Sequence, residues 1–218
     1  MRYTHLIWDW NGTLLDDVQL GVEAMNAQLA RHELPPLHGV DEYREIFCFP
    51  IVDYYRKVGF DFARTPFSEL AQEWMDYYQP RSLQCSLMDG AQDCLYSLRK
   101  QGISQFVLSA SHLEKLCEQI ACYPIAEYFD EILGIGDIYA KTKADLALHW
   151  VKESGVDAKR LLFVGDTLHD WEVARAVGAD CILYTRGHQS RKRLERVGCP
   201  LLDDLRKLPS LLEKAQNT

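Results

Sequence analysis

The sequence predicts an α/β fold, a doubly wound parallel sheet with a small all-helical domain inserted after its first strand. Three observations carry the prediction. Short apolar runs alternate with helix-period segments from about residue 89 onward. Most of those runs are apolar on both faces, the pattern of strands covered by helices on each side. The stretch from about 16 to 86 shows helical periodicity and no convincing strand.

Residues 3–8 form the first predicted strand, being apolar or β-prone and followed by the polar turn 9–13. The insertion then reads as a helix over 18–31, a break at Pro35-Pro36, an aromatic-rich segment over 43–58 and a helix over 67–78. A helix over 91–101 leads into the second strand, 103–108. The alternation continues with helix 112–122, strand 131–135, helix 144–154, strand 161–164, helix 168–177 and strand 181–184. A helix over roughly 190–197 and a C-terminal helical stretch over 201–214, interrupted at Pro209, complete the chain. Gly155 and Gly178 stand just past helical runs, where a left-handed C-cap is expected. The implied division is a core of 1–15 plus 88–218 and a helical module of 16–87.

A chain of 218 residues with 47% hydrophobic content can bury one full core and carry a small second module. Its net charge of −8 and scattered Lys and Arg, apart from the run Arg191-Lys192-Arg193, exclude the dense basic stripe that nucleic-acid binding needs. No segment approaches the ~20 apolar residues of a membrane span, and the first residues run into a strand without an apolar leader. The expectation is a cytoplasmic protein with no membrane or nucleic-acid partner, a monomer or homodimer. The seven cysteines form no CxxC pair and no zinc-spaced Cys/His cluster, and are expected to be reduced, small apolar fillers.

Ligands of parallel α/β sheets bind beyond the carboxyl ends of the strands. Three such ends collect polar residues: Asp9-Trp10-Asn11-Gly12-Thr13, Ser109-Ala110-Ser111, and Gly165-Asp166-Thr167-Leu168-His169-Asp170. Phosphoryl transfer needs a nucleophile, a cation against anionic repulsion and fixed donors for the spread charge. Asp9, a short acid ending an apolar strand, suits attack on phosphorus. Gly12 permits a tight turn and close backbone approach, Thr13 offers a hydroxyl and backbone donors for phosphate, and Ser109 and Ala110 border the same place. Asp166 and Asp170 supply hard oxygen ligands of the kind Mg2+ accepts. Any one of these acids could instead cap a helix or end a turn; three at converging strand ends favour chemistry.

The run Leu6-Ile7-Trp8-Asp9-Trp10-Asn11-Gly12-Thr13-Leu14 resembles motif one of the haloacid dehalogenase superfamily, a hydrophobic strand followed by D-x-D-G-T. Phe163-Val164-Gly165-Asp166-Thr167-Leu168-His169-Asp170 resembles its motif four, and Val107-Leu108-Ser109 its motif two. The resemblance implies a Rossmann-like core, with the insertion where that family carries a C1-type helical cap. It implies Mg2+-dependent hydrolysis of a small phosphorylated metabolite through an aspartyl phosphate on Asp9, the likeness being to phosphoglycolate-phosphatase-like members. The metal set so implied is Asp9, the backbone carbonyl of Asn11, Asp166 and Asp170. A dehalogenase, in which Asp9 attacks carbon, has no use for the Asp166 and Asp170 pair.

Two lysines compete for motif three. Lys141 has the separation from Asp166 seen in relatives that read K-P-x-P, although both prolines are absent. Thr142 and Asp145 resemble a capping box that would place Lys143 in the first turn of a helix, and this favours Lys143. The larger departure is Asn11. In the family's phosphatases an acid at this position protonates the leaving oxygen and then deprotonates water, and an amide does neither. The expectation is slow turnover, or a phosphatase-like binding or regulatory protein. His188, His169 and His112 are possible substitutes, His188 first because it follows the fifth strand. The cap's aromatic residues, Tyr43, Phe47, Phe49, Tyr54, Tyr55, Trp74, Tyr77 and Tyr78, are expected mostly in the cap core, with Arg44 and Arg56 as possible anion contacts.

Overall fold

The computed structural model describes residues 2–136 and 142–214; Lys141 lies outside the described residues. The chain opens with the buried strand β1 (His5–Trp8), turns through 9–14 and forms the two-residue strand β2 (Leu15–Asp16). Four helices follow: α1 (Val18–Arg31), α2 (Val40–Ile46), α3 (Ile51–Lys57) and α4 (Phe67–Ser82). β3 (Ser86–Leu87) pairs antiparallel with β2, Leu15 opposite Leu87. The helical cap therefore leaves and rejoins the core through a two-stranded neck.

The core continues as α5 (Ala91–Lys100), β4 (Ser104–His112), α6 (Leu113–Ile120) and β5 (Glu131–Ile135). After it come α7 (Lys143–Ser154), β6 (Leu161–Gly165), α8 (Leu168–Val177) and β7 (Asp180–Tyr184). The last elements are α9 (Arg191–Leu194), β8 (Leu201–Leu202) and α10 (Leu208–Lys214). The six main strands form one parallel sheet in the order β5-β4-β1-β6-β7-β8. The chain winds outward from β1 in both directions, so the carboxyl end of β1 lies at the switch point where such sheets open a crevice.

Side chains alternate across the sheet. Leu6 and Trp8 face one core together with Val107 and Val164, and Ile7 faces the other with Leu108 and Phe163. The first core extends without a break into the cap, through Met25, Leu29, Tyr43, Tyr54 and Leu70. Two buried indoles find acceptors within it: Trp8 donates to Gln105 Oε1 at 3.1 Å and Trp10 to Gln119 Oε1 at 2.9 Å.

Four local expectations change. β4 runs on to His112 with an irregular register after Leu108, so Ser109, Ala110 and Ser111 extend a strand and do not form a loop. Leu201 and Leu202 pair with β7 as an edge strand, and Pro209 stands in the first turn of α10, where its missing N–H costs no intrahelical bond. The cap has the strand neck that its two residues at each end were too short to announce. Cys94 and Cys181 are buried as expected, whereas Cys117 and Cys122 are exposed, Cys117 because it falls off the stripe of Leu116, Gln119 and Ile120 that α6 buries. Among the described residues, no helix is long and apolar enough to cross a membrane.

Candidate active site

The carboxyl ends of β1 and β6 and the start of α7 meet at the crevice. Asp9, one residue past β1, is fixed by its N–H to the carbonyl of Val164 at 2.8 Å. Thr142 caps α7, its hydroxyl accepting from the N–H of Asp145 at 3.1 Å, and this sets Lys143 as the first helical residue. The Lys143 ammonium is buried between two acids: it donates to Asp9 Oδ1, and to Asp170 Oδ1 at 2.6 Å. Asp170 is oriented by the capping box of α8, accepting from the Thr167 hydroxyl at 2.6 Å and the Thr167 N–H at 3.0 Å. Oxygens of Asp9, Asp166 and Asp170 lie within 4.8 Å of one another.

Three carboxylates thus face one ammonium. Burial pushes Asp9 well above the usual carboxylate range; Lys143 opposes the shift, and Asp170 and Asp166 reinforce it. Burial likewise raises Asp166 to about 6, against the charge of His188 and with that of Asp170. Asp170 goes the other way, because Lys143 outweighs the burial that would raise it. The group carries more carboxylate than its own ammonium can offset, and its oxygens could hold a hard divalent cation.

A second buried cluster adjoins the first. The Asn11 amide donates to Asp17 Oδ2 at 2.9 Å and to the Tyr78 hydroxyl at 2.7 Å, while its oxygen accepts from Ser111 Oγ at 3.1 Å. Asp17, fully enclosed, also accepts from the Gly12 N–H at 2.8 Å and from Tyr78 at 2.5 Å, and pairs with His188 Nε2 at 3.2 Å. The other ring nitrogen of His188 lies 2.8 Å from the Tyr43 hydroxyl, and its backbone N–H donates to Asp166 Oδ2 at 2.5 Å. Burial alone would strip His188 of its proton, but Asp17, with Asp166 and Asp9, outweighs it and raises the ring to about 9. In return His188, Tyr78 and Asn11 hold Asp17 below its ordinary value in spite of burial.

The turn between the clusters leaves no room for a side chain. Gly12 has φ +72°, and a Cβ there would stand 2.4 Å from the His188 ring and 2.5 Å from Asp166 Oδ2. A Cβ on Gly187 would meet the same carboxylate at 2.1 Å.

The structure brings together Asp9, Asn11, Gly12, Thr13, Lys143, Asp166, Asp170 and His188. The Thr13 hydroxyl lies 3.2 Å from Asp9 and 3.1 Å from Asp166, between two of the three acids. Ser109 is buried, its hydroxyl accepting from the Ser111 N–H at 3.1 Å, and exposed Ala110 borders the cleft. His112 and His169 also border it, His169 stacked on Phe49 at 4.8 Å. Arg44 and Arg56 do not reach it. Arg44 donates to the carbonyls of Gly187, at 2.8 Å, and Arg186, clasping the cap to the loop after β7, while Arg56 pairs with Asp53 at 2.6 Å in solvent. Asp17 escaped the sequence reading, since adjacent acids ahead of an apolar helix look like charges at a helix start. Between core and cap lies a cavity of about 530 Å3 that Asp9, Lys143, Asp166 and Asp170 line from below.

This geometry has company. The family model described as haloacid dehalogenase-like hydrolase matches residues 6–184. A phosphoglycolate phosphatase of Pseudomonas fluorescens is 29% identical over 221 aligned residues, covering 96% of this chain and 80% of its own length. Among solved structures, a haloacid dehalogenase-like family hydrolase from Streptococcus pneumoniae superposes with a TM-score of 0.83 at 18% identity, covering 97% of this chain and 99% of that one. A predicted phosphoglycolate phosphatase from Haemophilus somnus superposes at 0.76 and 17% identity, covering 97% and 99%. The chain belongs to the haloacid dehalogenase-like hydrolases, and the curated relatives it resembles are phosphatases of that family.

Proposed function

We propose that this protein hydrolyses the phosphate monoester of a small metabolite in a Mg2+-dependent reaction, through an aspartyl phosphate on Asp9. The observation that carries the reading is the convergence of Asp9, Asp166 and Asp170 around the buried ammonium of Lys143. Asp9, Asp166, Asp170 and the backbone carbonyl of Asn11 would hold the metal, which offsets phosphate charge and polarises the phosphoryl oxygens when bound. Lys143 keeps Asp9 near the phosphate and screens it from the other acids. A carboxylate oxygen of Asp9 forms a bond to phosphorus as the bond to the ester oxygen breaks, and water later cleaves the aspartyl phosphate to free Asp9 and inorganic phosphate. Gly12, Thr13, Ser109, Ala110 and His188 border the phosphate in this reading, and Lys143 takes the part for which Lys141 competed.

Asn11 makes proton transfer the weak step. Its amide is occupied at both ends, by Ser111 on the oxygen and by Asp17 and Tyr78 on the nitrogen, so it holds the turn without giving or taking a proton. Losing a positioned acid/base removes on the order of 10²–10⁴ in rate. That same locked amide favours a second reading, a phosphatase-like binding protein with negligible turnover. Phosphate release from an activated aryl phosphate separates the two: the hydrolase reading expects release that needs Mg2+ and Asp9. Mg2+-dependent ligand binding with no release supports the binding protein.

A further inference from the structure

The cavity above Asp9 differs in character from its floor. Tyr54, Tyr55, Phe47, Phe67 and Trp74 line the cap side, and Trp74 stacks on Tyr78 at 4.3 Å and 14°. The cap segment 16–87 holds six lysine and arginine residues, and none of them borders the cavity. Each has another partner: Arg31 pairs with Glu73, Arg44 with backbone carbonyls, Arg56 with Asp53, Lys57 with Cys48, Arg64 with Asp61 and Arg81 with the Tyr77 carbonyl. On the core side, Lys143 and His188 are held by Asp9, Asp170 and Asp17, and Lys115 pairs with Glu118. His169 spends a face on Phe49 and its Nδ1 on Glu172, and His112 borders the cavity on the core side, away from the cap wall.

A leaving group bearing a carboxylate would therefore lose hydration on entering and meet no cap cation to replace it. At about 530 Å3 the space is within the ~300–1,000 Å3 of sites that enclose ligands larger than a two-carbon acid. Aromatic walls favour an aromatic guest, because offset and edge-to-face contacts add to apolar burial. The Tyr54 hydroxyl behind the same wall is buried and finds no partner among the described residues, so this side of the cavity presents Tyr54 chiefly as a ring.

We propose that the substrate is the phosphate monoester of an alcohol with an uncharged aromatic body, held under the cap, and not a small carboxylate such as the phosphoglycolate that names several relatives. The proposal rests on the phosphomonoesterase reading for the reaction: the O–P bond breaks, water supplies the new oxygen on phosphorus, and the aromatic alcohol departs with a proton from solvent. It does not rest on that reading for recognition.

Two measurements separate the claims. With Mg2+ present, kcat/KM is compared for phenethyl phosphate, ethyl phosphate and phosphoglycolate, three unactivated esters. Phenethyl phosphate is expected to exceed both others by at least about tenfold, and Trp74→Ala to cut its advantage over ethyl phosphate by about tenfold. In parallel, calorimetric titration compares the non-hydrolysable 3-phenylpropylphosphonate with 3-phosphonopropionate, and the aryl ligand is expected to have a Kd at least about tenfold lower. Hydrolysis with phosphoglycolate equal or preferred overturns the substrate class and leaves the phosphatase reading intact. No hydrolysis, with the phosphonate preference present, overturns the phosphatase reading and supports the aromatic site. Equal or reversed phosphonate affinities overturn the aromatic site whatever the turnover.

Discussion

The floor and the ceiling of the cavity obey opposite rules. The floor concentrates charge: Asp9, Asp166, Asp170 and Lys143 are packed together beneath the switch point, with more carboxylate than ammonium. The ceiling excludes charge, with aromatic rings facing the cavity and every cap cation turned elsewhere. The contrast separates two tasks: the floor, drawn from strand ends of a rigid sheet, is suited to phosphate and metal whatever ester is bound, and the ceiling to choosing the ester. Between them lies the cluster of Asn11, Asp17 and His188, which is charged like the floor yet touches Tyr43 and Tyr78 of the cap.

The largest expected effect breaks the floor. Asp9→Asn keeps shape and removes the nucleophile, and phosphate release should drop by about 10⁴-fold or more, as loss of a covalent nucleophile does elsewhere. Mg2+-dependent binding of a phosphonate should survive. If release persists in the purified variant, Asp9 is not the nucleophile.

Next in size is the seam between the regions. Asn11→Asp restores an acid/base and should raise turnover by about 10²-fold if proton transfer limits the rate. The structure adds a cost: the new carboxylate would stand beside Asp17, now 2.9 Å from the Asn11 amide, and two such acids share a proton or repel. Asn11→Asp should therefore melt lower than wild type, and Asn11→Asp with Asp17→Asn, which keeps the charge count, should recover part of the loss. A fall in hydrolysis with the fold intact would sink the account of Asn11.

The seam also shows where sequence reasoning stops. Asp9, Asp166 and Asp170 were legible because a strand end and a helix start are local features, and so was Lys143, through the Thr142 cap. Asp17 was not, since its burial depends on His188 and Tyr78, which lie far along the chain. Arg44 misled for the same reason: an arginine in the last turn of a cap helix suits a substrate anion or a backbone carbonyl equally, and only the fold brings Arg186 and Gly187 to it. The alternation of strands and helices fixed the sheet well, while two-residue strands such as β2 and β8 are too short to carry a period.

A smaller effect tests the anionic surplus. A cation that binds only the folded protein stabilises it by RT ln(1 + [L]/Kd), about 2.7 kcal/mol at one hundred times Kd. Mg2+ should raise the melting temperature of chelator-treated protein, and Asp166→Asn should remove most of the rise. No shift in wild type at millimolar Mg2+ argues that the floor does not take the metal.

The smallest effect is the pH dependence of the seam in metal-free protein. His188 is raised to about 9 in the fold from a value near 6.5, so its stabilisation is complete below about 6.5 and is lost as pH rises through about 9. Asp17 is held below its ordinary value, so its contribution is present above about 3.8 and is lost as pH falls through the lower folded value. The pair thus strengthens the fold across the middle of the range and weakens at both ends. The difference in melting temperature between wild type and His188→Gln, followed from about pH 6 to pH 10 to cancel titrations common to both, should shrink as the upper limit is crossed. A constant difference over that range would mean that His188 carries no extra proton, and that the seam belongs with the uncharged ceiling instead of the charged floor.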